Sequence, residues 1–219
     1  MDSLQIANSI DQTLLNPGAT SEMIDALCSS AVQHNFHSVC INPSRIQQAI
    51  EYLSATKVKV CSVIGFPLGA TSTTTKLQEL EFCILKGATE IDMVANIGYF
   101  IDGNWGYVSN EISRIVKNAP GIIIKTIIET ALFNNNEIIK ISKLVEDSGA
   151  HFIKTSTGFS KPGATTEIIK LIRNSINPEM GIKASGGINS LKQVKELILA
   201  GANRIGTSSG INIMNELSL

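Results

Sequence analysis

Two kinds of segment take turns along this chain, and their alternation limits the fold more than any other feature. The first kind is a short β-branched run, at residues 38–42, 59–66, 90–94, 122–128, 152–156, 181–185 and 204–207, with 10–14 as a candidate eighth. These runs are continuously apolar rather than alternating, as strands covered on both faces are. The second kind has helical spacing. Ile24, Leu27, Cys28, Ala31 and Val32 fall on one helix face, with Thr20 placed to cap it. Asn42 and Pro43 read as the cap and first position of a helix whose apolar face is Ile46, Ala49, Ile50 and Leu53. Further faces are Leu77, Leu80, Ile84 and Leu85; Val108, Ile112, Ile115 and Val116; and Ile138, Ile141, Leu144 and Val145. Ile168, Ile169 and Ile172 follow Thr165-Thr166, while Leu191, Val194, Leu197 and Ile198 follow a capping box of Ser190 and Gln193.

A weak internal repeat joins the two kinds. Gly87-Ala88-Thr89-Glu90-Ile91, Gly149-Ala150-His151-Phe152-Ile153 and Gly201-Ala202-Asn203-Arg204-Ile205 each follow a helix and precede a strand. The glycine is expected to end the helix in a left-handed conformation and turn the chain back into the sheet. Strand and helix thus repeat about eight times at the roughly 30-residue βα period. Right-handed crossovers allow either an open doubly wound sheet or a closed barrel. Eight units within 219 residues predict the closed form: an α/β fold, one (β/α)8 TIM barrel, in a single domain over residues 1–219.

Composition narrows the partners. Lys and Arg number 18 against 19 Asp and Glu, a net charge of −1, which argues against non-specific nucleic-acid binding and against a polybasic membrane surface. No apolar run approaches the roughly 18 residues of a membrane span, and Met1-Asp2-Ser3-Leu4 lacks the cationic start of a secretory signal. Cys28, Cys40, Cys61 and Cys83 are far apart, without a Cys-x-x-Cys, and are expected to be buried free thiols of a cytoplasmic protein.

In a barrel the chemistry gathers at the C-terminal ends of the strands. Lys125, Lys154 and Lys183 lie inside apolar runs, where an ammonium must find a partner or lose its charge. Desolvation and neighbouring cations lower a lysine pKa and make the amine a usable nucleophile. The structural reading has each lysine pairing with a carboxylate such as Asp92 or Glu129, and it suits Lys125 best because that residue is near the start of its strand. Asp92, between aliphatic neighbours, is the matching acid. Glu129, Asp11 and Thr13 are also at strand ends or within strands. With Cys40, Asp11 and Thr13 are candidates for the pocket wall.

Three loops of small residues follow the last strands: Thr155-Ser156-Thr157-Gly158, Ser185-Gly186-Gly187 and Thr207-Ser208-Ser209-Gly210. Glycines admit an anion to the backbone N–H groups and hydroxyls add donors, at the usual phosphate position of this fold. Neither Gly-x-x-x-x-Gly-Lys nor Gly-x-Gly-x-x-Gly occurs, so nucleotide binding is not indicated. His34, His37 and His151 fall at the non-catalytic side without metal-ligand spacing and read as surface residues.

Ile10-Asp11-Gln12-Thr13-Leu14-Leu15, Val39-Cys40-Ile41-Asn42-Pro43, Val63-Ile64-Gly65-Phe66-Pro67-Leu68-Gly69, Glu90-Ile91-Asp92-Met93-Val94 and Ile127-Ile128-Glu129-Thr130 carry a resemblance. It continues in Phe152-Ile153-Lys154-Thr155-Ser156-Thr157-Gly158-Phe159, Lys183-Ala184-Ser185-Gly186-Gly187 and Arg204-Ile205-Gly206-Thr207-Ser208-Ser209-Gly210. Together these resemble the deoxyribose-phosphate aldolase family, in order from residue 10 to residue 210. The resemblance implies a (β/α)8 barrel and a class I aldolase without metal or organic cofactor, which reversibly cleaves 2-deoxy-D-ribose 5-phosphate to acetaldehyde and D-glyceraldehyde 3-phosphate. It implies that Lys154 is the Schiff-base lysine, Lys183 the second lysine that depresses its pKa, and Asp92 the proton-relay partner. Gly186, Gly187, Ser208 and Ser209 would cradle the phosphate, with Thr157 and Gly158 nearby. The implied partner is a small phosphorylated sugar, and a homodimer is compatible with the reading.

Three positions depart from the family pattern. Gln12 stands where the family often has His. Lys161-Pro162 occupies a loop that is usually smaller and glycine-rich, and Lys161 would add a cation near the phosphate. The chain ends Glu216-Leu217-Ser218-Leu219, without the terminal Tyr that some members use in proton transfer. Two other functions remain open to the same residues: an imine-forming barrel lyase for a different phosphorylated sugar, and a non-catalytic sugar-phosphate sensor.

Overall fold

In the computed structural model, which describes residues 1–217, every one of the eight apolar runs is a strand. They are β1 (Ile10–Leu14), β2 (Ser38–Ile41), β3 (Lys59–Ile64), β4 (Glu90–Val94), β5 (Ile123–Ile127), β6 (Phe152–Lys154), β7 (Gly181–Ser185) and β8 (Arg204–Thr207). All pair in parallel with their sequence neighbours, and β8 pairs with β1 to close the barrel. The register sets Asp92 beside Lys125, Lys154 beside Lys183, and Lys183 beside Arg204.

The helices are α1 (Ser3–Ala7), α2 (Ser21–Gln33), α3 (Ile46–Leu53), α4 (Thr73–Leu85), α5 (Ile97–Ile101), α6 (Trp105–Lys117), α7 (Asn135–Asp147), α8 (Thr166–Arg173), α9 (Leu191–Leu199) and α10 (Gly210–Asn215). Thr20 caps α2 by accepting the Met23 N–H, and Ser190 with Gln193 forms the expected capping box on α9. Gly87, Gly149 and Gly201 stop their helices at φ 99°, 85° and 117°, as the repeat requires.

Some expectations needed correction. Asn42 makes no side-chain cap bond: Pro43–Arg45 is a 3-10 turn, and α3 begins only at Ile46. Val32 and Leu85 face outward, Leu85 with 77% of its surface exposed. The buried side of α4 runs instead through Thr73, Lys76, Leu80 and Cys83. Two polar residues share that face because Lys76 is neutralised by Glu111 of α6 at 2.9 Å and donates to the Val94 carbonyl at 2.8 Å. The short helices α1, α5 and α10 carry no periodic signal in the sequence, since five or six residues are too few to show one. Ser218 and Leu219, on which the expectation about a terminal Tyr partly rests, lie outside the described residues.

Most of the apolar core fills the space between sheet and helices, where Ile91, Ile124, Ile153, Ile182 and Ile205 are fully buried. The barrel interior is different. It holds a small apolar cluster of Leu15, Cys40, Cys61 and Val63, and otherwise a column of charge. Among the described residues, no helix is long and apolar enough to cross a membrane.

Candidate active site

Ion pairs between strands that are not neighbours must cross the barrel interior, and several do. Near the N-terminal end, Glu90 meets Lys125 at 2.6 Å, His37 at 2.7 Å and Arg204 at 3.1 Å. One level higher, Asp11 takes Arg204 at 2.8 Å on Oδ1 and Lys183 at 2.5 Å on Oδ2, while Ser38 donates to it at 2.7 Å. Asp92 receives three lysines: Lys125 on Oδ1 at 3.0 Å, and Lys183 and Lys154 on Oδ2 at 2.7 and 2.8 Å. The structure therefore brings together all three residues singled out as catalytic candidates, on one carboxylate oxygen.

This mutual neutralisation decides how the groups ionise. Burial works to raise the Asp92 acid, but Lys125, Lys154 and Lys183 outweigh it and hold the carboxyl well below the usual range. Asp11 is lowered in the same way, against its own burial, by Lys183, Arg204 and Lys125. Burial alone would lower Lys183, yet Asp11 and Asp92 reverse the balance and push it well above the ordinary lysine value. Lys125 is raised as well, by Asp92 above all among its partners. The expectation that burial lowers a strand lysine is thus overturned at Lys125 and Lys183, because carboxylates surround each. Lys125 follows the structural reading, with Glu90 rather than Glu129 as its second carboxylate. With Lys154 protonated, four cations (Lys125, Lys154, Lys183 and Arg204) face three carboxylates (Asp11, Glu90 and Asp92), and in that state the column carries one positive charge in excess.

Above the column a cavity of about 570 Å³ opens at the C-terminal ends of the strands. Lys154, the last residue of β6, is the one lysine in its wall among the described residues. Thr157, Gly158, Gly186, Gly187, Ser208 and Ser209 all line it, as does Thr13. Asp11 and Cys40, the other wall candidates, sit below its floor: Asp11 is fully buried in the ion pairs, and the Cys40 thiol faces Asp92 at 3.8 Å. Lys161 is exposed and is not part of the wall.

The loops around the cavity are pinned from below. Ser185 Oγ donates to the Ser156 carbonyl at 2.6 Å, and Thr207 Oγ1 to the Ile188 carbonyl at 2.6 Å. Gly163 lies so close to Gly186 that a Cβ on it would come within 2.0 Å of the Gly186 carbonyl oxygen. Glu129, in a left-handed conformation at φ 49°, accepts from the Thr157 hydroxyl at 2.6 Å and so holds a wall residue rather than an interior lysine. Gln12 accepts from the Gly210 N–H at 3.1 Å and donates to the Ser208 carbonyl at 3.4 Å, bracketing Ser209. That gives the departure at position 12 a physical role.

Sequence reasoning gave no role to Glu90 or Arg204. Each opens a run buried on both faces, and a charged residue there is the signal that was available. Of the histidines, His151 is exposed as expected, its Nδ1 accepting from the Ile124 N–H at 3.0 Å, while His34 and His37 are half-buried and His37 pairs with Glu90. Cys40, Cys61 and Asp92 bring potential metal ligands within 4.8 Å of one another. Three ammonium groups already contact Asp92, so a metal ion there would face like charges on every side of the carboxylate.

Comparison with known proteins fits this geometry. The family model described as DeoC/LacD family aldolase matches residues 6–216. The chain is 50% identical over 218 residues to the deoxyribose-phosphate aldolase of Thermococcus gammatolerans, covering 98% of this chain and 97% of that protein. It is 46% identical over 217 residues to the deoxyribose-phosphate aldolase of Clostridium kluyveri, covering 99% and 100%. The solved deoxyribose phosphate aldolase from Aeropyrum pernix, described as a unique tetramer, superposes with a TM-score of 0.93 at 33% identity, over 99% of this chain and 92% of the other. By sequence and by fold, this chain belongs to the DeoC/LacD family of aldolases.

Proposed function

We propose that the chain is a class I aldolase that reversibly cleaves 2-deoxy-D-ribose 5-phosphate to acetaldehyde and D-glyceraldehyde 3-phosphate, with Lys154 as the Schiff-base amine. One observation carries the residue assignment. Of the three lysines on Asp92, Lys125 and Lys183 are sealed in the barrel, and Lys154 alone also lines the cavity.

The neutral Lys154 amine adds to the aldehyde carbon of the open-chain sugar, and loss of water gives an imine. Protonated, the imine draws in the C2–C3 bonding pair as that bond breaks. A base takes the proton of the C3 hydroxyl, and C3 leaves as the aldehyde carbon of glyceraldehyde 3-phosphate. The enamine left on Lys154 is protonated at C2, and water hydrolyses the resulting imine to acetaldehyde and free amine. Asp92 and Lys183 relay these protons through water. Gly186, Gly187, Ser208 and Ser209, with Thr157 and Gly158 beside them, take the phosphate, whose remote binding energy positions the reacting carbons. The common wall these residues form with Lys154 supports that reading.

Borohydride added with deoxyribose 5-phosphate should reduce the imine to a stable adduct on the peptide that contains Lys154. An adduct on another lysine would overturn the assignment.

We also read residues 1–219 as one domain of a self-associating chain, a homodimer being the smallest closed assembly, and sedimentation reads its mass directly. A cytoplasmic setting suits four buried free cysteines, and cell fractionation tests it.

A further inference from the structure

The lowest charges of the interior column touch nothing in the cavity, yet they are joined to its amine by an unbroken series of contacts. Arg204, the first residue of β8, and Glu90, the first of β4, are 8% and 4% exposed. Arg204 Nη1 holds Asp11 Oδ1 at 2.8 Å, and its guanidinium lies 5.5 Å from the centre of the Phe152 ring. The other oxygen of Asp11 holds Lys183 at 2.5 Å. Lys183 in turn shares Asp92 Oδ2 with Lys154. On the other side Glu90 grips Lys125 at 2.6 Å, and Lys125 grips Asp92 Oδ1 at 3.0 Å.

Every strand contributes a group to this set. Asp11 comes from β1, Cys40 from β2, Cys61 from β3, Glu90 and Asp92 from β4, Lys125 from β5, Lys154 from β6, Lys183 from β7 and Arg204 from β8. His37 meets Glu90 from just before β2. The nine strand residues of this set are all buried, so these charges act on one another with less screening than surface pairs.

We propose that Arg204 and Glu90 are positioning residues of the reaction, which set the charge state of the Lys154 amine from the opposite end of the barrel, in opposite directions. The proposal rests on Lys154 being the Schiff-base amine. With Arg204 neutralised, three cations face three carboxylates. Asp11, still held by Ser38 on Oδ1, then turns more of its charge to Lys183, Asp92 is left freer for Lys154, and Lys154 keeps its proton to higher pH. With Glu90 neutralised, four cations face two carboxylates. Lys125 then leans on Asp92 at 3.0 Å and on Asp11 at 3.9 Å, and competes with Lys154, which gives up its proton at lower pH.

The test is the rate at which acetaldehyde and cyanoborohydride trap Lys154 as a function of pH, in wild type, R204Q, R204K and E90Q, beside the pH profile of kcat/KM. R204Q should move the acidic limb of both profiles alkaline by about one unit, so that trapping on the limb is about tenfold slower while the alkaline plateau stays within about twofold. R204K keeps the charge and should follow wild type. E90Q should move the limb the other way, a pattern that general damage to the barrel does not produce. If R204Q does not fold, E90Q against R204K still decides the matter by the sign of the shift. Limbs that stay in place, or that move in the same direction in R204Q and E90Q, would overturn the proposal. A wild-type protein that traps aldehyde on some other lysine would instead sink the aldolase assignment of Lys154, before any variant is compared.

Discussion

Replacing Lys183 with Met removes the ammonium that shares Asp92 Oδ2 with Lys154 while keeping a long apolar side chain in the barrel. Both nitrogens lie within 2.8 Å of Asp92 Oδ2, so they stand at most about 5.6 Å apart. At an effective dielectric constant of about 20, two unit charges at that separation repel by about 3 kcal/mol. Losing that repulsion stabilises the protonated, unreactive form of the nucleophile by the same amount, equivalent to about two pH units. The sign is fixed: a cation has been taken away, so the amine holds its proton more tightly and the acidic limb of kcat/KM moves alkaline. At neutral pH, K183M should lose at least on the order of 10²-fold in kcat/KM, and it should recover about 10²-fold roughly two pH units higher, any loss that persists there being the missing proton relay. Acetaldehyde release coupled to NADH consumption by alcohol dehydrogenase measures it, with thermal melts to show that the variant is folded. Near-normal turnover at neutral pH would refute the reasoning. A loss of equal size at every pH would refute it too, by showing that Lys183 moves protons without tuning the nucleophile's charge.

Two further outcomes concern stability. K76M strands the buried Glu111 carboxylate, which also accepts from the Asn96 N–H, and should cost about 3–5 kcal/mol in urea unfolding. The double variant K76M/E111L should regain most of that, and a single-variant cost below about 1 kcal/mol would contradict the role given to the pair. Glu90 is desolvated, which alone would raise its acid, but His37, Lys125 and Arg204 hold it at about 2 against an ordinary 4.5. Because the folded-state value is depressed, its contribution of about 3 kcal/mol is complete above pH 4.5 and is lost as pH falls toward 2. Unfolding free energies across that window should therefore fall more steeply in wild type than in E90Q, by about one proton, and equal slopes would contradict the ion pairing.

The strands were legible because burial on both faces leaves a continuous apolar run, and seven helices because each covers the sheet with a periodic face. What could not be read is which way an individual side chain turns and what it meets. Lys125, Lys154 and Lys183 look alike in sequence, each a lysine in an aliphatic run. Only the strand register and their depth along the barrel separate the one that reaches the cavity from the two that do not. Asp11 was placed on the right strand but at the wrong level, because its partners Lys183 and Arg204 come from the far end of the chain. Leu85 was misplaced for a related reason: Lys76 takes the inward position once Glu111 neutralises it, and no local pattern announces a partner on another helix.

The pairing of Asp11 with Arg204 joins residues 193 positions apart, and closure of the barrel waits on the same two strands. During synthesis, the carboxylate of the first strand emerges long before the cations of the last two exist. An isolated N-terminal half would hold Asp11 and Asp92 without Lys154, Lys183 or Arg204, and those acids could be buried only at a high desolvation cost. The interior ion pairs therefore oppose stable partial barrels. The interior charges become mutually satisfied only when β8 is in place, so an ordered barrel requires Arg204 to have been synthesised.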